Sequence, residues 1–388
     1  MKKAYRYRIY PTKKQARLLH EQLALCAELY NAALQERRDA WRMCGKSITF
    51  TQQSAQLPQI KQIRPEYEGI FSQVLQEVLH RVDKAFQAFF RRVRAGLTPG
   101  YPRYKSRYRY GSLTYPQSGF GIDGQGKLSL SKIGHLKLVM HRPFKGVVKT
   151  ATITRSATNK WHVVFSCDEV EPEVLPPCDA QVGIDVGLKT FAYLSTGERI
   201  ENPRFFRDGE HALARAQRRL SKAKMGTKER AKRRKVVARV HERIGWRREN
   251  FAQQESRKLV NRFGLIAVEA LAVRTMVKHP RLAKSISDAA WSSFFTHLFS
   301  KAEEAARTVV RVKPAHTSQT CSGCGHRQEI PLSVRVYECP HCGLALDRDH
   351  NASMNILQQA VGRHGCVNPE APGAGAVGSR HFWASAST

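Results

Sequence analysis

Apolar and polar residues alternate along the first third of the chain in patterns that predict one strand and two long helices. Residues 5–10 alternate between aromatic and basic or aliphatic side chains, as a half-buried strand does. Thr12 is followed by Gln15 in a capping-box pattern, and apolar residues then recur at helical spacing to about Met43. A second apolar stripe predicts a core-facing helix over residues 72–94.

After residue 110 the spacing of apolar residues changes from helical to alternating, which predicts a different kind of domain. Residues 111–175 contain short alternating runs, which favour a small antiparallel β domain or barrel. The acidic, proline-rich residues 169–177 indicate a linker. Buried strands are then predicted at residues 182–187 and 264–269, with a further strand at 309–312. The chain therefore combines all-β, helical and α/β parts.

The second half also predicts several helices. Residues 212–248 are strongly helical, and Gly226 is expected to divide them into a helical hairpin. Apolar spacing predicts a helix over residues 287–308, and the last helix is expected at residues 351–360. Residues 363–388 are rich in glycine, alanine and serine, so we expect a disordered tail.

Charge is the first indication of function. The 388 residues include 65 Lys and Arg against 32 Asp and Glu, a formal net charge of +33. Nucleic acid is the polyanion that such a surplus favours, because counterion release rewards many phosphate contacts at once. The less specific alternative is a ribosomal-type or generally adhesive surface. A hydrophobic content of 41% excludes a wholly disordered chain.

The basic residues concentrate in two segments. Residues 90–110 hold seven Lys or Arg and five aromatic residues, a mixture that suits single-stranded or distorted nucleic acid. Residues 212–248 hold fifteen Lys or Arg against two acidic residues. Either segment could instead be a solvated surface. The candidate nucleic-acid contacts are Gln76, Arg103, Lys105, Arg107, Lys189, Arg215, Arg218, Arg219, Lys222 and Arg348.

Four of the nine cysteines form a metal-binding pattern. Cys321 and Cys324 make one C-x-x-C pair, and Cys339 and Cys342 make a second pair after fourteen intervening residues. A glycine follows each pair and permits the tight turn that lets two thiolates reach one ion. Four thiolates leave no open position, so the sequence predicts one structural Zn²⁺ ion. Free or redox-active cysteines are the remote alternative.

Acidic residues in three separate segments occupy positions where a charge is costly to bury. Asp185 follows an apolar strand, Glu269 ends another, and Asp347 and Asp349 precede the last predicted helix. A single buried carboxylate is commonly explained by a lysine partner, whereas three from separate segments suggest one shared cation site. Paired Mg²⁺ ions are a recurrent solution for phosphodiester cleavage. A hairpin with Asp, a central strand ending in Glu and a final helix led by Asp predict an RNase H-like nuclease.

The chain as a whole resembles a known family. The segments GIDVGLKTFAYLSTG, IAVEAL, SISDAAW and TSQTCSGCG, followed by YECPHCGLALDRDHNASMNI, are similar to the RuvC half of TnpB (OrfB) proteins. The N-terminal YRYRIYPTKKQARLL and the later GYPRYKSRY also resemble that family. The similarity extends to about residue 362 and is most specific over residues 321–356. TnpB proteins are insertion-sequence proteins related to the type V CRISPR effectors.

The resemblance implies an RNA-guided DNA endonuclease. A noncoding RNA from the transposon end would guide it to double-stranded DNA beside a short motif, and one RuvC site with two Mg²⁺ ions, or Mn²⁺, would cut both strands. By position, Asp185, Glu269 and Asp349 match the catalytic residues. Asp349 opens the family's D-x-N-A element, which leaves Asp347 to cap the turn or orient Arg348. Ser353 replaces the family's usual second alanine.

The resemblance also implies a layout. We expect a β-barrel wedge domain from residues 1–10 and 111–175, with a helical recognition lobe at 11–110. A RuvC-like nuclease domain would comprise residues 180–320 and 344–362, with a zinc-finger insert at 321–343 beside the cleft. Independently of the resemblance, we predict that the polar helix face around Gln76 forms part of the reader of the target-adjacent motif.

Two other functions stay open at this point. One is a guided repressor that binds DNA without cutting, and the other is a transposase that joins DNA ends. For the guided nuclease we expect a monomer, because one RuvC site per chain with a guide is sufficient. We place the chain in the reducing prokaryotic cytosol, associated with the nucleoid. Neither a secretory leader nor a membrane span is indicated by the sequence.

Overall fold

The computed structural model describes residues 1–331 and 334–362. The predicted disorder of residues 363–388 lies outside these ranges. Within them the chain forms two compact units. Unit 1 comprises Met1–Glu171 and Arg218–Glu242, and unit 2 comprises Pro172–Gln217 and the chain from Arg243 onward.

Unit 1 is built on a seven-stranded antiparallel sheet with β1 near its centre. The edge strands β2 and β3 are separated by only three residues of chain, which leaves the sheet nearly closed. The predicted alternation of β1 is confirmed, because Tyr5, Tyr7 and Ile9 are buried. The strand order is β2-β6-β7-β1-β5-β4-β3, with β1 Lys3–Tyr10, β2 Ser112–Pro116, β3 Phe120–Ile122, β4 Leu128–Leu130, β5 Gly134–Val139, β6 Val147–Arg155 and β7 Trp161–Asp168.

Helices between β1 and β2 pack with this sheet in one hydrophobic core. The predicted capping box at Thr12 and Gln15 is confirmed, and the helix it starts ends at Cys44. The predicted stripe on the second long helix is buried only as far as Val82, whereas Phe90 is half exposed. The helices are α1 Lys13–Cys44, α2 Phe50–Ala55, α3 Leu57–Ile63, a 3₁₀ helix Pro65–Gly69 and α4 Ser72–Arg94.

Unit 2 contains a five-stranded mixed sheet. Strands β10, β9 and β8 pair antiparallel, and β8, β11 and β12 pair parallel. A separate two-stranded hairpin consists of β13 and β14. The strands are β8 Gln181–Val186, β9 Thr190–Leu194, β10 Arg199–Glu201, β11 Leu265–Glu269, β12 Thr308–Val312, β13 Val336–Glu338 and β14 Ala345–Asp347.

Six helices complete the chain between β10 and residue 362. None of the helices in the described part of the chain is both long and apolar enough to span a membrane. The helices are α5 Phe205–Ser221, α6 Lys228–Arg262, α7 Val273–Met276, α8 Ala283–Ala289, α9 Trp291–Glu304 and α10 Arg348–Ala360.

The predicted helices of this half are correct in kind but differ in their bounds. The turn at Gly226, with φ of 80°, separates α5 from α6 as expected. The single helix predicted over residues 287–308 is wrong, because Ala290 adopts a left-handed φ of 55° and separates α8 from α9. The last helix begins at Arg348, three residues earlier than predicted, which places Asp349 in its first turn.

The close packing of α10 on β8 depends on Gly183. A Cβ at this position would lie 2.1 Å from the carbonyl oxygen of Ser353 and 2.7 Å from the backbone nitrogen of Leu357. Both neighbours are backbone atoms of α10, so no side-chain rotation relieves the clash. We therefore expect Gly183→Ala to lower the free energy of unfolding by about 3 kcal/mol, the upper end of the usual range for overpacking, measured by urea denaturation.

Gly245 provides the matched control for this substitution. It lies within α6, and a Cβ there would meet no atom within 4 Å. Gly245→Ala should stabilise the protein by roughly 0.5–1 kcal/mol, because alanine loses less conformational entropy in a helix. Equal effects of the two substitutions would contradict the packing argument.

Candidate active site and zinc site

Three elements of unit 2 bring Asp185, Glu269 and Asp349 to one edge of the mixed sheet. Asp185 lies in β8 and Glu269 ends β11, and these strands are parallel neighbours, so their C-terminal ends meet. Asp349 lies in the first turn of α10, which packs on β8 and β11. A Cβ built on Gly187, just after β8, would be 3.9 Å from Asp349 Oδ2.

All three carboxylates have raised pKa values, and the charges of two of them act on the third. Burial raises the pKa of Asp185 well above its usual value, and the negative charges of Glu269 and Asp349 raise it further. Burial also raises the pKa of Glu269 and of Asp349. The cluster is thus electrostatically strained, and a bound cation would relieve that strain.

Each of the other two carboxylates has neighbours that fix or balance it. The hydroxyl of Thr317 donates a hydrogen bond to Glu269 Oε1 at 2.6 Å. Asp347 caps α10 by accepting a hydrogen bond from the backbone N–H of Asp349 at 2.9 Å. This capping is one of the two roles expected for Asp347. The guanidinium of Arg335 lies 3.9 Å from Asp349 Oδ2.

The donor set suits hard divalent cations. All three residues are half-buried. Carboxylate oxygens are the ligands that Mg²⁺ and Mn²⁺ prefer. Among the described residues, the group whose ligand atoms already lie close enough together to share one ion is the four cysteines, not the three carboxylates.

The four cysteines have the geometry of a closed zinc site. Their ligand atoms all lie within 4.8 Å of one another. The Sγ–Sγ distances are 3.6 Å for Cys321 to Cys342 and 3.6 Å for Cys324 to Cys339. A tetrahedral ion with Zn–S bonds of about 2.3 Å requires sulfur separations near 3.8 Å. The residues therefore fit one Zn²⁺ ion with four protein ligands.

The backbone makes the same hydrogen bond around both cysteine pairs. In each pair the N–H of the glycine after the second cysteine donates to the carbonyl of the first, at 2.9 Å. These glycines, Gly325 and Gly343, have φ values of 78° and 73°, a conformation that favours glycine. The role that the sequence assigned to the two glycines is confirmed by these angles.

Polar side chains on one face of α10 hold the first cysteine pair. Asn351 accepts from the Ser322 N–H at 2.9 Å and donates to the Thr320 carbonyl at 2.7 Å. Asn355 donates to the carbonyls of Thr317 and Thr320, and Gln358 donates to that of Ser322. The helix that carries Asp349 is thus bonded directly to the zinc site.

The candidate nucleic-acid residues fall into two groups. Lys105 is half-buried, with its ammonium 4.6 Å from the ring centre of Tyr30, and burial lowers its pKa. Arg348 donates to the carbonyl of Pro331, so it binds the zinc-site segment. The remaining candidates are exposed: Gln76, Arg103, Arg107, Lys189, Arg215, Arg218, Arg219 and Lys222.

Sequence reasoning missed several residues of the site. Thr317 and Arg335 were not singled out, although Thr317 lies in the TSQTC segment. Because β11 and β12 are parallel neighbours, the residues that follow each strand meet at one edge, and this signal could have placed Thr317 near Glu269. The spacing of Asn351, Asn355 and Gln358 places them on one helix face, and this polar face could also have been recognised in the sequence.

Three family models match parts of the chain. Residues 165–279 match a model described as "Probable transposase" of the OrfB type, and residues 291–356 match a "Cas12f1-like, TNB domain". Residues 1–46 match a "Helix-turn-helix domain", which in this structure consists of β1 and the single helix α1. The first two matches cover the three carboxylates and the four cysteines.

Two bacterial relatives are similar over nearly their full length. A "Putative RNA-guided DNA endonuclease" of Streptomyces pristinaespiralis is 36% identical, across 94% of this chain and 91% of the relative. The "Putative RNA-guided DNA endonuclease InsQ" of Escherichia coli K12 is 27% identical, across 91% of both chains.

Solved structures show the same fold at low sequence identity. A Cas12f1–sgRNA–target DNA complex superimposes with a TM-score of 0.56 at 16% identity, covering 89% of this chain and 83% of the other. The mini-RNA-guided endonuclease CRISPR-Cas_phi3 gives a TM-score of 0.50 at 10% identity, covering 95% and 94%.

Proposed function

The chain belongs to the transposon-associated TnpB (OrfB) family, and from this premise we propose that it is an RNA-guided DNA endonuclease. It would cut double-stranded DNA beside a short motif. The observation that carries the proposal is the meeting of Asp185, Glu269 and Asp349 at one sheet edge. A guide RNA would select the target by base pairing, while the protein holds the backbones.

Asp185, Glu269 and Asp349 would hold two Mg²⁺ ions, with Mn²⁺ as a substitute. When bound, such a pair supplies an activated water and stabilises the leaving oxygen. The chain's own cations complete the site. Lys189 and Arg335 lie close enough to Asp349 to lower its pKa, and they would attract the phosphodiester towards the carboxylates.

We assign the domains as the family layout implies. The RuvC-like nuclease domain would be residues 180–320 and 344–362, supported by a mixed sheet in which three antiparallel strands continue into two parallel ones. Residues 321–343 would be the zinc-finger insert. Residues 1–10 and 111–175 would form the wedge domain, and residues 11–110 the recognition lobe, with Gln76 near the motif reader.

The partners follow from the charge and from the family. A net charge of +33 suits a protein that holds a noncoding guide RNA from the transposon end together with a DNA target. One nuclease site per chain is sufficient for a guided enzyme, so we propose a monomer. It would act in the prokaryotic cytosol, associated with the nucleoid.

Expression of the chain together with its native flanking DNA tests this function. We expect one discrete co-purified RNA that ends in sequence from beyond the element. The purified complex, given Mg²⁺, should cut a plasmid that carries the matching target and leave a mismatched plasmid intact. The measurements are RNA sequencing and gel analysis of the plasmid.

Other outcomes would identify another function. A target that is occupied but never nicked would indicate a guided repressor. Joined DNA ends would indicate a transposase. A heterogeneous mixture of cellular RNA, with cleavage that ignores the target sequence, would contradict guided activity and leave a basic, metal-dependent nuclease.

A further inference from the structure

The side chain of Thr317 makes a short hydrogen bond to a candidate metal ligand. Its hydroxyl lies 2.6 Å from Glu269 Oε1, within the range of about 2.5–2.7 Å for a hydroxyl bonded to a carboxylate. The carbonyl of Pro314 lies 3.5 Å from the same hydroxyl, at the limit of hydrogen bonding. The single hydroxyl proton therefore goes to Glu269.

Thr317 is itself held firmly. The residue is only 4% exposed, and its backbone carbonyl accepts a hydrogen bond from Asn355 at 2.8 Å. Asn355 is 3% exposed and also bonds the carbonyl of Thr320 at 2.6 Å. The segment that presents the hydroxyl is thus fixed to α10 at both of its ends.

The same segment leads directly into the zinc site. Cys321 follows Thr320 and is fully buried, and Ser322 is bonded to Asn351 of α10. Asp349 lies two residues before Asn351, on the same helix. A continuous set of hydrogen bonds therefore joins the first cysteine pair to two of the three carboxylate-bearing elements.

We propose that Thr317 is a positioning residue that orients Glu269 for divalent-cation binding, and that the zinc-site segment is the brace that holds Thr317 in place. This inference rests on the proposed function, since it takes Glu269 as a metal ligand. A hydroxyl bonded to Oε1 would fix the orientation of the carboxylate and leave Oε2 to bind a cation. It also reduces the side-chain entropy that metal binding would otherwise remove.

The test compares Thr317→Val with Thr317→Ser in the full-length protein bound to its RNA. Valine keeps the shape and removes the hydroxyl, whereas serine keeps the hydroxyl. Mn²⁺ binding is followed by electron paramagnetic resonance. A separate titration of the Asp185→Ala protein measures the ions that the RNA holds, and this background is subtracted. We expect the Mn²⁺ dissociation constant to rise about 10–100-fold in Thr317→Val. It should change by less than about 3-fold in Thr317→Ser.

Control variants separate this inference from the proposed function. Thr320→Val removes a hydroxyl that donates to the His316 carbonyl in the same segment and does not contact Glu269 among the described residues, so it should leave Mn²⁺ affinity unchanged. Equal Mn²⁺ affinity in Thr317→Val and the wild type, with affinity lost in Glu269→Gln, would overturn the positioning role alone. Unchanged affinity in Glu269→Gln would overturn the metal site itself.

Cleavage and zinc content give two further readouts. The Mg²⁺ concentration for half-maximal cleavage should rise in Thr317→Val by the same factor as the Mn²⁺ dissociation constant, with a rate near wild type at saturating Mg²⁺. The zinc content of the variant should stay at one ion per chain. A rate that stays low at saturating Mg²⁺ would contradict a role in metal binding.

Discussion

Replacing Asp185 with asparagine is expected to abolish DNA cleavage and to stabilise the metal-free protein. Asparagine keeps the size of the side chain but loses the charge that a divalent cation requires. Metal ions supply several kcal/mol of transition-state stabilisation, and each 1.4 kcal/mol or so is tenfold in rate. We therefore expect the rate of target cleavage to fall by at least about 10³-fold, measured in single-turnover assays on a matched plasmid.

The same substitution that abolishes cleavage should increase stability, because the carboxylates repel one another when no cation is bound. Burial and the charges of Glu269 and Asp349 raise the pKa of Asp185, which means that the ionised form is disfavoured in the folded state. EDTA keeps the site free of metal ions. Under that condition, replacing the carboxylate of Asp185 with the neutral amide of asparagine should raise the free energy of unfolding by at least about 1 kcal/mol. For a chain of 388 residues, each kcal/mol of added stability raises the melting temperature by about 1 °C.

The pH dependence of the metal-free protein follows from the same shift. A raised pKa means that the folded state binds more protons than the unfolded state between the two pKa values. The stability that protonation contributes is therefore complete below the ordinary aspartate pKa of about 4 and is lost as the pH rises through the raised value. Asp185→Asn should flatten this part of the pH profile in EDTA.

Asp179→Asn is the matched control, since Asp179 lies in the same unit and is exposed. It should change neither cleavage nor melting temperature. Full cleavage by Asp185→Asn would contradict the assignment of the active site. A variant that is inactive and also less stable than the wild type in EDTA would show that Asp185 is held by favourable contacts instead of mutual repulsion.

Local patterns were sufficient to predict most elements. The Thr12 capping box, the turn at Gly226 and the helix of residues 72–94 each depend on neighbours within a few residues, and all three are confirmed. The break at Ala290 was not predictable in this way. Alanine favours a helix, and only tertiary packing holds it at a φ of 55°.

The charged residues of the candidate site were predictable from the sequence, but the residues that hold them in place were not. Asp185, Glu269 and Asp349 indicated the cluster, because burying a carboxylate costs free energy unless a partner or a cation compensates its charge. The bond from Thr317 to Glu269 joins residues 48 apart and depends on how two strands end side by side. Lys105 shows the reverse case, since its sequence context suggested phosphate contact and the structure packs it against Tyr30.

Loss of the zinc site is the second change from which we expect a large effect. The residues around the cysteines form a very small core, in which Tyr337 packs with Cys321 and Cys339 against Ile330 and Leu344. A core of that size cannot fold unaided, so the bound ion would supply the stability. Structural zinc contributes about 10–16 kcal/mol of apparent binding free energy in zinc-finger peptides.

We therefore expect Cys321→Ser to reduce the zinc content from one ion per chain to none and to unfold the insert locally. Trypsin should then cut at Arg327 and Arg335 in the variant and spare both sites in the wild type. Guided cleavage should be lost as well, because the segment that leads into Cys321 carries Thr317 and bonds to α10. Zinc assay, limited proteolysis and plasmid cleavage measure the three effects.

Cys44→Ser distinguishes loss of zinc from loss of any thiol. Cys44 is exposed at the end of α1, in the other unit, and should tolerate serine with no change in zinc content, proteolysis or cleavage. A zinc-free Cys321→Ser protein that still resists trypsin at Arg327 would show that the insert folds without metal. Retained cleavage by that protein would further mean that α10 and Thr317 keep their places independently of the cysteines, which would separate the brace from the ion.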